Sequence, residues 1–198
     1  MKSLFPLFLK LEGRPCLVVG AGEIGESKIG SLLDAGGTVH VVAPHATGNV
    51  EEWAKDGKIL WLRREFRETD LDGCFLVIAA TPSTELHAKI FRLAGKRRIL
   101  CNIVDMPELC DFYYPAVVRR GALQIAISTR GRSPALAQRL RKELEAQFGP
   151  EYEEWVAMLG EARERIRAEA KPLADQKILL HELASEESFK RFLERRKK

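Results

Sequence analysis

One short stretch, Gly20-Ala-Gly-Glu-Ile-Gly25, constrains the fold of this chain more than any other. It follows residues 16–19, an apolar and β-branched run that is typical of a buried parallel strand. It opens residues 23–35, which we predict to be a helix closed by Gly36-Gly37. The first glycine of such a turn permits the sharp bend, the second lets backbone approach a pyrophosphate, and the third lets helix and strand pack closely. The pattern predicts a dinucleotide site, with a glycine-rich packing turn as the alternative.

Strand and helix patterns then alternate along the chain. The runs that we predict to be further strands are residues 38–43, 59–62, 75–80 and 99–104. The predicted helices between them are residues 50–56, ended by Gly57, and residues 85–94, stopped by Gly95. Strands that alternate with helices at this spacing indicate an α/β fold with a doubly wound parallel sheet.

The pattern changes after Val104. Two strand-like runs, residues 115–118 and 123–128, are joined through Gly121, which suggests a hairpin. Ser133-Pro134 begins a helix that runs to about Phe148, and the remainder reads as helical with a break near residues 171–172. We therefore predict a nucleotide domain over residues 1–112, a small connecting unit over residues 113–148, and a helical domain over residues 149–198.

Positive charge is concentrated in two places. The last twelve residues hold six Lys or Arg and two Glu, which accounts for the net charge of +4, and we interpret them as a solvated terminal helix. Residues 113–142 hold seven Lys or Arg and no Asp or Glu, a pattern that favours binding of an anion.

Membrane spans and metal sites have no support in the sequence. No apolar run approaches the roughly 20 residues that a membrane span needs. The four cysteines form no C-x-x-C pair, and the four histidines have no ligand spacing. We expect a cytoplasmic protein without a bound metal.

The end of the second strand lacks an expected acid. A dinucleotide fold usually holds the adenosine ribose there with Asp or Glu, but this chain has Ala43-Pro44-His45. The ribose would then be held by backbone groups or by His45. The residues themselves do not decide between NAD and NADP.

Two further motifs carry candidate chemistry. Asp105 follows the fifth strand, at the edge where open α/β sheets bind ligands, so it is a candidate proton acceptor; the alternative is a turn Asp before Pro107. Ser128-Thr-Arg-Gly-Arg-Ser133 ends at a helix N-terminus and could bind carboxylates through Arg130, Arg132 and backbone N–H groups; the alternative is an ordinary capped loop.

Several motifs in order resemble the precorrin-2 dehydrogenase and ferrochelatase family, of sirohaem synthase N-terminal type. The segments that carry the resemblance are Val18-Val-Gly-Ala-Gly-Glu-Ile24, Val41-Val-Ala-Pro44, Ala79-Ala-Thr81, Asn102-Ile-Val-Asp105-x-Pro107 and Gly131-x-Ser-Pro-Ala-Leu-Ala137. The chain departs from the family pattern at Pro82 and Ser83, where Asp is usual, and at His87, where Asn is usual.

The resemblance implies a Rossmann-like domain, a dimerisation unit and a helical C-terminal domain. It implies NAD as cofactor and a tetrapyrrole with many carboxylates as substrate, with a homodimer as the assembly. In some relatives Fe²⁺ is inserted as a second substrate, which stays open here. Relatives with a fused methyltransferase domain also exist, and we expect that activity to be absent from this sequence.

The resemblance also assigns roles to residues. Asp105 matches the proposed catalytic residue of the family. The residues expected to bind the cofactor are Gly20, Gly22, Glu23, Ile24, Gly25, Pro44, His45, Ala80 and Thr81. Those expected to bind the substrate are Ser128, Thr129, Arg130, Arg132 and Ser133.

Two other classes of function remain at this point. One is a non-enzymatic NAD-sensing regulator that binds nucleic acid through its basic tail, although no DNA-reading motif is recognisable and we expect no nucleic-acid partner. The other is a chelatase in which NAD is structural or absent.

Overall fold

A parallel sheet of five strands forms the centre of the N-terminal unit, with the first strand of the chain in the middle, the second and third on one side and the fourth and fifth on the other. The computed structural model describes residues 4–169 and 172–196, which divide into two units between Tyr114 and Pro115. The strands are β1 (Pro15–Ala21), β2 (Thr38–Ala46), β3 (Ile59–Leu62), β4 (Leu76–Ala79) and β5 (Leu100–Ile103), and the helices are α1 (Glu23–Asp34), α2 (Gly48–Lys55) and α3 (Thr84–Arg97). The predicted doubly wound α/β sheet is confirmed.

Both faces of this sheet are buried, which explains why its strands read as continuous apolar runs. On one face Val18, Val41 and Ile78 pack with Ile29 of α1 and Val50 of α2. On the other face, a second cluster includes residues of β1 and β4 together with Ile90 and Leu93 of α3. Each fully buried side chain of this kind contributes about 1.5–3 kcal/mol to folding.

Two glycines close the turn between β1 and α1. Gly20 has a φ of +99°, and a Cβ there would lie 2.2 Å from the Ala80 carbonyl oxygen. A Cβ on Gly25 would lie 2.2 Å from the Gly20 carbonyl oxygen, so helix and strand approach too closely for any side chain. These contacts place the start of α1 at the carboxyl end of β1.

We expect Gly25→Ala to lower the free energy of unfolding by about 1–3 kcal/mol or more, because the new methyl group overlaps a backbone carbonyl that cannot rotate away. Urea unfolding measures this difference. Gly30→Ala is a matched control in the same helix, because its Cβ would only meet the Trp53 ring at an ordinary 3.5 Å. Equal stability of the two variants would contradict the close packing.

The predicted stop at Gly95 is wrong. Helix α3 passes through Gly95 and ends at Arg97, and Arg98 follows it in the left-handed conformation with a φ of 58°. The Arg98 N–H bonds back to the carbonyl oxygens of Ala94 and Gly95. A glycine inside a helix costs only about 1 kcal/mol, so the burial of the α3 face outweighs it.

The C-terminal unit joins a two-stranded antiparallel sheet to helices. The strands are β6 (Ala116–Arg120) and β7 (Leu123–Ile127), and the helices are α4 (Pro134–Gln147), α5 (Glu151–Ala168), α6 (Leu173–Leu183) and α7 (Glu186–Arg196). Gly121 turns the hairpin with a φ of +54°, as the sequence suggests. The predicted helix break near residue 171 falls where residues 170 and 171 lie outside the described part of the chain. The finer predicted boundary at residue 148 stays a prediction.

Aromatic rings hold α5 and α7 together in this unit. The ring centroids of Tyr152 and Trp155 lie 4.6 Å and 5.4 Å from that of Phe189, and the Trp155 centroid lies 5.2 Å from that of Phe192. Such pairs add to the stabilisation that comes from burial alone. Over residues 4–169 and 172–196, no helix combines the length and apolar character that a membrane span requires.

Candidate functional site

A cleft of about 1050 Å³ opens at the carboxyl edge of the parallel sheet. This edge is where ligands of doubly wound folds bind. Six of the nine residues that we predict to bind the cofactor line the cleft: Gly20, Gly22, Pro44, His45, Ala80 and Thr81. The other three, Glu23, Ile24 and Gly25, belong to the first turn of α1 and are not among its lining residues.

The centre of the cleft suits a pyrophosphate. Gly22 is the N-cap of α1, has extended backbone (φ −75°, ψ −173°) and makes no side-chain cap bond. A Cβ built on Gly22 would meet nothing within 4 Å, so the space in front of the turn is open to a ligand. The first-turn N–H groups and the positive end of the helix dipole favour a phosphate at this position.

The side of the cleft beside β2 and β3 carries a fixed cation that the sequence did not reveal. Arg64 lines the cleft and donates two hydrogen bonds to Asp70, at 2.9 Å and 2.6 Å. Burial would raise the pKa of Asp70, but hydrogen bonds from the Arg64 side chain and the Arg67 backbone N–H hold it below its usual value. Arg64 is therefore held in place in the wall of the cleft that His45 also lines.

Asp105 lies two residues beyond β5 and has a positive φ of 61°. Its side chain is exposed, and it is not among the lining residues of the cleft. The Lys28 ammonium lies 3.8 Å from the centre of the Tyr114 ring. Burial lowers the pKa of Lys28, and the negative charge of Asp105 partly opposes this shift. The sequence motif predicted Asp105 as a site residue but did not predict the involvement of Lys28, which lies on α1.

The five predicted substrate residues lie together in the loop between β7 and α4. The hydroxyls of Ser128 and Thr129 accept backbone N–H bonds within the loop, and that of Ser133 accepts one from the first turn of α4, all at 3.1–3.2 Å. Arg130 and Arg132 are exposed and have no ion-pair partner among the described residues. The hydroxyls therefore shape the loop, and the two arginines are the groups left to meet an anion.

The count of seven cations in residues 113–142 overstates the free positive charge. Arg139 pairs with Glu143 at 2.7 Å, and Arg141 pairs with Glu145. Both acids lie just beyond the acid-free segment, one helical turn along α4. The Arg120 guanidinium is also engaged, by the carbonyl oxygens of Arg119 and Glu145.

Cysteine chemistry does not contribute to the site. All four cysteines are free. Burial raises the pKa of Cys16 to about 11 and that of Cys101 to about 12, so both thiols stay protonated and unreactive near neutral pH. In the part of the chain that the structure describes, no three His, Cys, Asp or Glu side chains are grouped to hold a metal ion.

A glycine-rich turn at the open edge of a doubly wound parallel sheet defines a Rossmann-like dinucleotide-binding protein. Residues 7–116 match the putative NAD(P)-binding family, and residues 120–147 match the sirohaem biosynthesis protein central family. The chain belongs to this NAD(P)-binding family, in the form found in sirohaem synthases, and the predicted family and nicotinamide cofactor are confirmed.

Relatives and solved structures agree with this family. The chain is 43% identical over 162 residues to "Siroheme synthase 2" of Yersinia pestis (strain Pestoides F), covering 82% of this chain and 34% of the relative. It is 38% identical over 175 residues to "Siroheme synthase" of Neisseria meningitidis serogroup C (strain 053442), covering 88% and 36%. The chain thus spans about a third of the length of the curated relatives it matches. The solved structure of "SirC, precorrin-2 dehydrogenase" is 29% identical, with a TM-score of 0.79 over 92% of this chain and 90% of that one.

Proposed function

We propose that this chain is an NAD-dependent precorrin-2 dehydrogenase, which oxidises precorrin-2 to sirohydrochlorin. The observation that carries the proposal is the likeness to SirC, because it extends over nine tenths of both chains and not over the nucleotide domain alone. The glycine-lined cleft is the second support, because the reaction needs a hydride acceptor held at the sheet edge.

Each group of residues has a role in this proposal. Bound NAD⁺ would supply the hydride acceptor. The backbone around Gly20 and Gly22 would bind its pyrophosphate, and Pro44 and His45 its adenosine ribose. Arg130 and Arg132 would bind substrate carboxylates through charge-assisted hydrogen bonds.

Asp105 is the proposed proton acceptor. Loss of a hydride from precorrin-2 is accompanied by loss of a proton, and a carboxylate at the strand edge can accept it. Asp105 is exposed, so substrate can reach it.

The proposal is tested by mixing the purified chain with precorrin-2 and NAD⁺ without oxygen and following the near-ultraviolet absorbance of NADH. We expect NADH and sirohydrochlorin to appear in equal amounts. Binding of NAD⁺ with no turnover would refute the dehydrogenase and favour a chelatase with structural NAD.

Iron insertion is a second proposed activity at the same site, with Fe²⁺ as a substrate. Pyrrole nitrogens must lose protons when the metal enters, and we propose that the Asp105 carboxylate accepts them. Formation of the iron product from sirohydrochlorin and Fe²⁺, measured without NAD⁺, tests this activity separately.

The regulatory alternative is not the function that we propose. It rests on the basic tail, but Lys190 pairs with Glu186 at 2.7 Å and Arg196 pairs with Glu154 at 3.0 Å. These ion pairs reduce the charge available to nucleic acid.

We propose an enzyme in the cytoplasm, where free and buried cysteines such as Cys16 are stable.

We also propose a homodimer formed through residues 113–148. Both outer edges of the β6–β7 pair are unpaired within the described chain, and an unpaired strand edge can pair with a strand of a second chain. Light scattering at micromolar concentration should give twice the mass of one chain. A Val117→Asp variant should give the mass of one chain, because a charge on this small sheet opposes burial between two copies. A monomeric wild type would contradict the proposal.

A further inference from the structure

A buried histidine lies directly behind the cleft. His87, on α3, is 5% exposed, and its Nε2 lies 3.0 Å from the hydroxyl oxygen of Thr81. Thr81 lines the cleft immediately after β4. His87 itself is not a lining residue, and its side-chain hydrogen bond to Thr81 connects it to the cleft wall.

The two branches of the Thr81 side chain are fixed from opposite directions. Its methyl group packs toward Gly20, where even a Cβ built on the glycine would come within 3.1 Å of it. Its hydroxyl faces His87. These two contacts favour one side-chain orientation of Thr81 beside the glycine turn, in which its hydroxyl oxygen is paired with His87.

The protonation state of His87 follows from its other nitrogen. Nδ1 is buried and has no hydrogen-bond partner among the described residues. Buried N–H groups without an acceptor are rarer than acceptors without a donor, so the hydrogen belongs on Nε2 and not on Nδ1. Burial lowers the pKa of His87 and outweighs a hydrogen bond to the Thr81 backbone, so the ring is neutral at neutral pH.

This tautomer decides which way the Thr81 hydroxyl points. If Nε2–H of His87 donates to the hydroxyl oxygen of Thr81, the hydrogen of that hydroxyl does not bond to His87. It is then available to donate to an acceptor in the cleft, where the oxygens of a dinucleotide lie beside Gly20.

We propose that His87 is a positioning residue of the cofactor site, which makes the Thr81 hydroxyl a hydrogen-bond donor to an oxygen of the bound dinucleotide. The inference rests on the proposed cofactor site. It adds His87, which is not one of the residues that line the cleft.

The first test needs no ligand and no variant. Nitrogen-15 NMR of the imidazole distinguishes the two neutral tautomers, and we expect Nε2 of His87 to be protonated at neutral pH in the wild-type chain. Protonation at Nδ1 would overturn the inference, because Thr81 would then have to donate to His87.

The second test is a double-mutant cycle on NAD⁺ affinity, measured by calorimetric titration. Thr81→Val keeps the methyl group and replaces the hydroxyl by a second methyl group, and His87→Phe keeps a ring and removes the donor. We expect each to weaken binding about tenfold, the scale of one lost hydrogen bond. The double variant should be no weaker than Thr81→Val to within about twofold, because both changes remove the same interaction.

Two conservative variants separate positioning from simple structural support. Thr81→Ser keeps the hydroxyl, and His87→Gln keeps an N–H donor at the position of Nε2, so both should bind NAD⁺ within about twofold of wild type. Additive losses in the cycle, or an unchanged His87→Phe, would overturn the inference.

Failure of the inference is distinguishable from failure of the cofactor site. If Gly22→Val abolishes binding while His87→Phe and Thr81→Val leave it unchanged, the site stands and the role of His87 is refuted. If the wild type does not bind NAD⁺ at all, both the cofactor site and the role of His87 are refuted.

Discussion

Replacing Gly22 by valine should abolish NAD⁺ binding and leave the chain folded. A Cβ at this position meets nothing within 4 Å, and the backbone at φ −75° and ψ −173° accepts any residue. Valine is a poorer N-cap than glycine, so we expect a loss of at most about 1 kcal/mol of stability. In the complex, however, the new side chain would occupy the space of the pyrophosphate and separate it from the helix N–H groups.

The expected loss of affinity is about a hundredfold or more. Each charge-assisted hydrogen bond contributes about 1.5–3 kcal/mol, and about 1.4 kcal/mol corresponds to a factor of ten in affinity. Calorimetric titration with NAD⁺ measures the loss, and thermal unfolding of the same sample measures the stability.

Gly48→Val is the matched control for this variant. Gly48 also stands at the start of a helix, α2, its Cβ would also meet nothing within 4 Å, and it is not among the residues that line the cleft. It should bind NAD⁺ as the wild type does. Unchanged affinity in Gly22→Val would remove the cofactor from this cleft.

Replacing Asp105 by asparagine should lower the rate of dehydrogenation by about a hundredfold or more, the usual scale for loss of a general base. Affinity for NAD⁺ should stay the same, because Asp105 is not one of the cleft residues. Asparagine is a better replacement than alanine here, since it tolerates the positive φ of 61° that alanine does not. If iron insertion occurs, it should fall in the same variant.

Glu108→Gln provides the control for Asp105→Asn. Glu108 is an exposed acid three residues further along the same loop, so its replacement removes an equal charge from the same region. Its turnover should match the wild type. Full dehydrogenase activity in Asp105→Asn would leave Asp105 as a turn residue, and a loss of iron insertion alone would assign it to metal handling.

The first βα unit could be predicted from the sequence because all of its determinants are local. The strand, the glycine turn and the helix occupy about twenty consecutive residues, and Gly20 and Gly25 meet steric demands that no other residue can meet. The same reasoning placed Pro44 and His45 at the cleft, since the carboxyl ends of parallel strands lie at one edge. The prediction that a helix stops at Gly95 was wrong, because the burial of one helix face decides whether the helix continues through a glycine.

Only the tertiary structure decided which charges are free and which side chains support the site. Arg64 reaches the cleft because Asp70 holds it there, and Arg139 and Arg141 are neutralised by acids that lie just outside the segment whose charges were counted. The pairing of His87 with Thr81 is equally invisible in sequence, where His87 is one residue in a helix. Pairing and burial are properties of distance in space, and distance along the chain fixes them only within a turn or a single helix.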